Sequence, residues 1–281
     1  MGSFLKYTVL VVTCLCCVVS HAQLTFNNPQ VYTTNNGLSQ SSVYGILQSR
    51  QGYMWFATGD GICRFDGREW KTYRNNFTYK GKPASNLYNT ALYTDSAGSL
   101  WFSNSSGAYY IKPESNAVTY FCPNADTAKF FNHIIHLIGI QNGNTAWIGG
   151  NGYLYKTNTL TNKTTAYNFS KYVYKQSTSI SASLFTNDKI YLGLVNRVVV
   201  FDIKTGTFKS IKIEGNEMFT PLDLEYCNGK VYLSSVYGLH VVNEDGIEKI
   251  SEVDFPVMRF FKRNNTQLFS RRLKITLSNS V

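Results

Sequence analysis

Short runs of apolar residues, each closed by an aromatic residue, return at a regular interval along this chain. The marker aromatics lie about 45 residues apart, at Trp55, Trp101, Trp147, Tyr191 and Tyr232. Each is followed by a turn and another strand-like segment. A repeat of about 40 to 50 residues built only from strands is typical of a β-propeller, in which each repeat forms one four-stranded blade. We therefore predict an all-β fold of about five antiparallel blades.

Four strand positions recur in order within each repeat. The second strand carries the marker aromatic and usually follows a glycine turn such as Gly52, and the third begins after a second turn that ends at Gly61 in the first repeat. The fourth alternates polar and apolar residues, as an outer strand should. Asp66 and Gly67 precede it, and both tolerate the positive φ of tight hairpins. The predicted blades span residues 42–74, 88–121, 133–169, 179–213 and 221–252.

The N-terminus has the pattern of an export signal. Lys6 precedes an apolar stretch over residues 7–19, and Ala22 closes a short segment of the kind that signal peptidase reads. As a helix, that stretch would rise only about 20 Å, against a hydrocarbon core of about 30 Å. We expect residues 1–22 to be removed as a signal peptide. The alternative is a lipoprotein cysteine within the same stretch.

Charge and cysteine spacing argue against a nucleic-acid surface, a disulfide framework and a zinc site. The net charge is +10, but six basic residues and no acidic ones lie after residue 258. Residues 23–258 therefore carry 20 basic and 17 acidic groups, which does not suggest a nucleic-acid surface. Cys63, Cys122 and Cys227 are widely spaced and are expected to be core residues, since no disulfide framework or zinc spacing is present.

The sequence offers little catalytic or metal-binding chemistry. His133 and His136 are three residues apart in a predicted strand, so they would point to opposite faces and could not share a metal. His240 is expected to be an ordinary strand residue, and the Asp-Gly pairs to be turns. Arg64 has no evident partners for a sialidase-like site, which needs an arginine cluster and paired carboxylates. We predict no catalytic residues, no metal site and no cofactor.

Residues 37–39 and 52–67 carry a family resemblance. Gly37-Leu38-Ser39 and the run from Gly52 through Trp55 to Gly67 resemble the two-component regulator propeller repeat. The pattern is also visible at residues 98–103 in the second repeat and at residues 147–149 in the third. The fourth and fifth repeats have the same spacing, with tyrosine as the marker. The marker aromatics are expected to pack between blades.

The resemblance implies a function. In that family the propeller array is the periplasmic sensor region of hybrid two-component histidine kinases of Bacteroidetes, and many members detect oligosaccharides. It implies an exported, periplasmic module that senses an oligosaccharide, with the remainder of a membrane sensor or a homodimer partner beside it. Cell-surface and secreted locations are the alternatives. The transmembrane and kinase parts of the family are not recognisable, so we expect no enzymatic activity in this chain. An exported propeller carbohydrate-active enzyme and a non-functional gene fragment remain as other interpretations, and the ligand-binding residues are unknown at this point.

The two ends of the array depart from the repeat. Residues 30–34 resemble a lone fourth strand that would close the last blade. Residues 256–281 are either a degenerate start of a sixth repeat, because residues 267–270 resemble residues 99–103, or a disordered basic tail. We therefore predict an incomplete ring, from a truncated chain, with an exposed sheet edge that favours aggregation.

Overall fold

The fold is described from a computed structural model. It describes residues 30–74, 78–79, 82–83, 91–104, 107–115, 117–121, 136–150, 152–161, 163–174, 179–213, 215, 218–250, 253, 255–264, 267–270 and 273–276. The chain divides into two compact units, residues 1–33 and 34–281. In the first, the described residues 30–33 have no regular secondary structure. No helix among the described residues is long and apolar enough to cross a membrane.

The second unit consists of consecutive antiparallel sheets. Five of them have four strands that pair in sequence order, and none closes on itself, so the described residues confirm the all-β prediction and agree with an incomplete ring. Two 3-10 turns, Thr34–Asn36 and Ser170–Tyr172, are the helical elements of the described part. The strands are β1 Val43–Gln48, β2 Met54–Thr58, β3 Gly61–Phe65, β4 Trp70–Arg74, β5 Thr78–Tyr79, β6 Lys82–Pro83, β7 Tyr93–Thr94, β8 Leu100–Asn104, β9 Gly107–Ile111, β10 Thr119–Phe121, β11 His136–Gln141, β12 Thr145–Gly150, β13 Tyr153–Asn158, β14 Thr164–Asn168, β15 Ala182–Phe185, β16 Lys189–Leu194, β17 Arg197–Asp202, β18 Thr207–Lys212, β19 Asp223–Cys227, β20 Lys230–Ser235, β21 Gly238–Val242, β22 Ile247–Lys249, β23 Phe261–Asn264, β24 Gln267–Ser270 and β25 Leu273–Thr276.

We call the five four-stranded sheets blades 1 to 5 in chain order: β1–β4, β7–β10, β11–β14, β15–β18 and β19–β22. Each lies within the range predicted for it. The marker aromatic pairs with the fourth residue of the third strand in every blade, for example Trp55 with Arg64, Trp147 with Lys156 and Tyr232 with Val241. The repeat therefore has one strand register throughout.

The marker tryptophans pack towards the next blade in the chain. Trp55 belongs to a buried cluster with Phe102 of blade 2, and Trp101 to one with Leu137 of blade 3. Trp147 is fully buried and lies with its ring centroid 5.6 Å from that of Phe201 in blade 4. Because each cluster joins two sheets, the hydrophobic core is divided into layers between neighbouring blades.

Local polar contacts hold the predicted hairpins. Oδ1 of Asp66 accepts hydrogen bonds from the backbone N–H groups of Arg68 and Glu69 at 2.8 and 2.7 Å, and these bonds lower the pKa of Asp66. Asp202 makes the same turn in blade 4. Gly61 has φ +140°, and a Cβ at this position would meet the carbonyl oxygen of Tyr73. These observations explain why Gly61 and Asp66 recur as turn residues of the pattern.

The lone closing strand predicted over residues 30–34 is not formed. Residues 30–33 belong to no strand, and the chain turns at Thr34–Asn36, where the N–H of Gly37 donates to the carbonyl of Thr34 at 3.3 Å. The turn leads Leu38 into a buried position, and the N–H of Ser39 donates to Sγ of Cys63 at 3.3 Å. Ser39 is thus anchored on Cys63 of β3 in blade 1.

The residues after blade 5 form a further sheet of three strands, β23, β24 and β25. This sheet lies within residues 256–281, for which the sequence analysis gave a sixth repeat and a basic tail as alternatives. Cys63 and Cys227 are buried free cysteines. Residues 1–22, Cys122 and His133 lie outside the described residues.

Candidate functional site

The first strands of successive blades lie beside one another. β11 of blade 3 contacts β15 of blade 4, and β15 contacts β19 of blade 5. At equivalent register positions, three first-strand residues face a small residue of the second strand: His136 opposite Gly149, Ala182 opposite Gly193, and Asp223 opposite Ser234. The beginnings of the first strands therefore gather around a common axis, as in a propeller.

Small second-strand residues allow this close approach. A Cβ at Gly193 would lie 2.8 Å from Cβ of Pro221, which leads into blade 5, and 3.1 Å from Cβ of Ala182. A Cβ at Gly149 would meet the side chains of Ile138 and Ile180. Real side-chain atoms do not approach this closely, so glycine at these positions sets the spacing between blades 3, 4 and 5.

A cavity of about 130 Å³ opens where these strands begin. One water molecule needs about 10–15 Å³ of such space, so the cavity can hold several. Most of its lining is polar, and it draws on four blades and on the segment after blade 5. We call it the axial cavity; its polar lining residues are Ser103, His136, Ser181, Ser183, Asp223 and Arg259.

His136 begins β11 and contributes an imidazole to the axial cavity. Burial lowers the pKa of His136 to about 4, so the ring is neutral at pH 7. Its Nε2 atom is buried and has no hydrogen-bond partner within the described part of the chain. A neutral imidazole nitrogen either donates or accepts one hydrogen bond.

Asp223 and Arg259 bring opposite charges to the axial cavity. Oδ1 of Asp223 accepts the N–H of Leu224 at 3.0 Å and Oδ2 accepts the N–H of Phe260 at 2.9 Å. Burial raises the pKa of Asp223, while these two hydrogen bonds and the charge of Arg259 oppose the rise. Nη1 of Arg259 donates to the carbonyl of Tyr44 at 3.2 Å, which links the segment after blade 5 to β1 of blade 1.

Ser103 is one of the lining residues, and Tyr93 lies close enough to Asp223 and Glu225 for their charges to act on its hydroxyl. Oγ of Ser103 accepts the N–H of Leu137 at 2.9 Å and so ties blade 2 to blade 3. Burial raises the pKa of Tyr93, and the carboxylates of Asp223 and Glu225 raise it further. Tyr93 therefore keeps its hydroxyl proton at neutral pH.

The described residues that the sequence analysis named as repeat markers or weighed for chemistry lie, apart from His136, outside the lining of the axial cavity. The marker aromatics are in the cores between blades, and Asp66 and Gly67 are in an outer hairpin. Arg64 lies over the ring of Tyr53, 4.4 Å from its centroid. His240 is buried and meets Phe219 edge-on with ring centroids 5.0 Å apart. Within the described ranges, no group of three or more His, Cys, Asp or Glu side chains could hold a metal ion.

Sequence reasoning did not identify Asp223, Arg259 or the cavity role of His136. A usable signal exists in the repeat itself. In each of these blades, one residue of the first strand pairs with the residue two positions after the marker aromatic. That first-strand residue is alanine in blade 4, but histidine in blade 3 and aspartate in blade 5. A polar residue at such an axial position is a candidate for contact with a ligand.

Two parts of this chain match known proteins in sequence. Residues 37–60 match the family model described as "Two component regulator propeller". A stretch of 45 residues is 51% identical to Histidine kinase P4 of Formosa agariphila, and it covers 16% of this chain and 3% of that protein.

Solved structures resemble this chain over most of its length. The extracellular domain of BT3049 from B. thetaiotaomicron, assigned as a hybrid two component system, matches with TM-score 0.65 and 20% identity over 86% of this chain and 34% of that one. PorZ, a surface component of the type-IX secretion system of Porphyromonas gingivalis, matches with TM-score 0.56 and 15% identity over 82% of this chain and 37% of that one. The chain thus spans about a third of these structures. At such identities the likeness shows the fold alone. The chain therefore carries the two component regulator propeller repeat, matched at residues 37–60, within a β-propeller fold.

Proposed function

We propose that this chain is a ligand-sensing propeller module of a two-component phosphorelay sensor and that it works in the periplasm. The observation that carries the proposal is the match of residues 37–60 to the repeat named for such regulators. The stretch that is 51% identical to Histidine kinase P4 supports the same signalling role. The likeness to an extracellular domain of a two component system supports a position outside the cytoplasm.

An oligosaccharide is the ligand that we propose. The axial cavity presents a guanidinium donor on Arg259, a carboxylate acceptor on Asp223, an imidazole on His136 and several serine hydroxyls. Sugar hydroxyls both donate and accept hydrogen bonds, so they can satisfy such a mixed lining. The cavity admits only a small part of an oligosaccharide, and the rest would lie at the mouth, where Arg259 is exposed.

The lining favours recognition over hydrolysis. Within the described lining there is one carboxylate, that of Asp223, and both of its oxygens accept backbone N–H groups. Most glycosidases use a pair of carboxyl groups on either side of the bond that they cleave. We therefore assign the axial cavity to binding.

Thermal unfolding of the purified chain, followed by tryptophan fluorescence, tests the proposal. The chain is heated alone and with each member of a panel of plant and host oligosaccharides. A sugar that binds only the native state raises the midpoint temperature of unfolding. At a sugar concentration of a hundred times the dissociation constant, it adds about 2.7 kcal/mol to the free energy of unfolding. A transition that no sugar shifts would contradict the proposed function.

A further inference from the structure

Exposed apolar side chains gather at one end of blade 5. Of the eight large hydrophobic residues that are exposed in the described part of the chain, four lie there: Met218, Val236, Tyr237 and Met258. Single exposed hydrophobic residues are ordinary on a protein surface, whereas a group of them marks a binding surface. These four come from three separate segments of the chain, so it is the fold that brings them together.

Contacts between the three segments show that they meet. The rings of Phe219 and Tyr237 are stacked, with their centroids 5.7 Å apart. The N–H of Val257 donates to the carbonyl of Ser235, at the end of β20, at 2.9 Å. The segment before blade 5, the turn after β20 and the segment after blade 5 thus form one surface. We call it the blade 5 platform; its exposed residues are Met218, Val236, Tyr237 and Met258.

The blade 5 platform adjoins the axial cavity. Asp223 lines the cavity and pairs with Ser234, and Tyr237 lies three residues beyond Ser234, which is at most about 10 Å of chain. Met258 directly precedes Arg259, another residue of the lining. A ligand longer than the cavity therefore has the platform within reach.

Tyr237 is held in place with one face of its ring covered. Phe219, against which it stacks, is 2% exposed, whereas Tyr237 is 45% exposed, so the open surface of Tyr237 is directed away from Phe219. Phe219 in turn meets the ring of His240 edge-on, and its carbonyl accepts the N–H of Asn196 at 2.6 Å. The N–H of Tyr237 donates to Oγ of Ser235 at 3.0 Å. A ring that is fixed in this way loses little conformational freedom when a ligand stacks on it.

An aromatic ring beside a polar cavity suits a sugar. A pyranose ring presents C–H bonds on its faces and hydroxyl groups at its edge, so one part packs on an aromatic ring while another forms hydrogen bonds. The axial cavity supplies polar groups for those hydroxyls on Ser183, Asp223 and Arg259. An apolar peptide side chain would suit the platform but not the polar lining beside it.

We propose that the blade 5 platform is a second subsite for the oligosaccharide and that one sugar ring stacks on the exposed face of Tyr237. This inference rests on the proposed sensing function and adds which residue outside the cavity contacts the ligand. The cavity of about 130 Å³ holds only a small part of an oligosaccharide, so a neighbouring sugar unit lies outside it. Tyr237 contributes to affinity through that unit.

Calorimetric titration of the full chain with four hexasaccharides tests the stacking contact. The sugars are cellohexaose, xylohexaose, maltohexaose and a hyaluronan hexasaccharide, and each one that binds is titrated into the variants. Tyr237→Ala removes the ring and is expected to weaken binding about tenfold. Tyr237→Phe keeps the ring without its hydroxyl and should bind within about twofold of the unchanged chain. Circular dichroism establishes that each variant is folded.

Tyr226→Ala is the matched control. Tyr226 is 44% exposed, close to the exposure of Tyr237, but it lies near the other end of blade 5, where it pairs with Val231. Tyr226→Ala should therefore bind within about twofold of the unchanged chain. Equal losses of affinity in Tyr226→Ala and Tyr237→Ala would mean that the effect is not specific to the platform, and the inference would fail.

The remaining outcomes separate this inference from the sensing function. If a sugar binds and Tyr237→Ala leaves its affinity unchanged, the platform is not a sugar subsite and the sensing function stands. If Tyr237→Phe binds as weakly as Tyr237→Ala, the hydroxyl and not the ring face makes the contact, which overturns the stacking. If Tyr237→Ala does not fold, Tyr237→Leu, which still covers Phe219, takes its place. If none of the four sugars binds the unchanged chain, both proposals fail.

Discussion

At the scale of single residues, the three marker tryptophans differ in how their indole N–H groups are satisfied. Nε1 of Trp101 donates to Oδ2 of Asp95 at 2.8 Å, and Nε1 of Trp147 donates to Oε1 of Gln141 at 3.0 Å. Both acceptors lie six residues before the tryptophan. In blade 1 that position is Ser49, whose Oγ is buried without a partner within the described part, as is Nε1 of Trp55. Serine is too short to reach the indole.

Replacing Ser49 by aspartate should therefore stabilise blade 1. The new carboxylate would accept the indole N–H of Trp55, and also the N–H of Tyr53, as Asp95 accepts the N–H of Ser99 in blade 2 at 2.8 Å. We expect Ser49→Asp to raise the free energy of unfolding by about 1 kcal/mol, measured by urea denaturation. Gln141→Ser, the reverse change in blade 3, should lower it by about 1–3 kcal/mol. Destabilisation by Ser49→Asp would show that the indole of Trp55 is satisfied otherwise.

His136 should make stability depend on pH. Its folded pKa of about 4 is below the ordinary 6.5, so between these values the unfolded chain binds more protons than the folded chain. The contribution of His136 is present above pH 6.5 and is lost as the pH falls towards 4. Asp223 acts in the opposite direction, because burial raises its folded pKa above the ordinary value and its contribution is lost as the pH rises through that folded pKa.

A comparison of the unchanged chain with His136→Gln isolates this effect, since Asp223 is common to both. Urea midpoints measured from pH 7 down to pH 4 should fall more steeply for the unchanged chain. Parallel curves for the two proteins would mean that His136 titrates normally in the folded state.

At the scale of elements, residues 255–260, which lie between blade 5 and β23, connect distant parts of the array without belonging to a strand. The N–H of Val257 donates to the carbonyl of Ser235 at 2.9 Å, and the N–H of Phe260 binds Asp223. Arg259, between them, binds the carbonyl of Tyr44 in β1. The segment therefore fastens the start of blade 5 to the start of blade 1.

Removing that guanidinium should loosen β1 in particular. We expect Arg259→Ala to speed amide hydrogen exchange in β1 about twofold to fivefold, as the loss of an exposed, charge-assisted hydrogen bond implies. Arg197→Ala is the control, because Nε of Arg197 donates to Oδ1 of the adjacent Asn196 at 3.1 Å, a contact within blade 4. Unchanged hydrogen exchange in β1 after Arg259→Ala would show that the hydrogen bond from Arg259 to Tyr44 does not stabilise β1.

At the scale of the whole molecule, blade 1 presents a face that other blades bury. Ile46, Leu137 and Leu224 all pair with the residue that directly follows a marker aromatic. Leu137 and Leu224 are 2% and 3% exposed and pack in clusters with the preceding blade, whereas Ile46 is 61% exposed. The face of blade 1 that corresponds to the preceding neighbour is thus open at Ile46.

A charge at Ile46 should therefore be tolerated. Ile46→Lys is expected to change the free energy of unfolding by no more than about 0.5 kcal/mol, and to reduce self-association in sedimentation velocity. Leu224→Lys, at the equivalent position of blade 5, buries an unpaired charge and should cost about 4 kcal/mol or prevent folding. If Ile46→Lys were as damaging as Leu224→Lys, the face would be covered in the folded protein.

The sequence by itself determined the blades. Each blade is a series of antiparallel hairpins within about 45 residues, so the alternation of strands and turns, the marker aromatics and the Asp66 hairpin are all recorded locally. The same local pattern misjudged residues 30–34, because a single strand-like run carries no sign of the turn at Thr34–Asn36 that anchors the next residues on β3.

Only the tertiary structure decided where a ligand could bind. Ser103, His136, Asp223 and Arg259 come from three blades and from the segment after the last of them, and each reads locally as an ordinary strand or tail residue. They meet because glycines in the second strands let neighbouring blades approach closely and bring the beginnings of the first strands to one axis. No spacing along the chain records that meeting, since it depends on how whole sheets pack against one another.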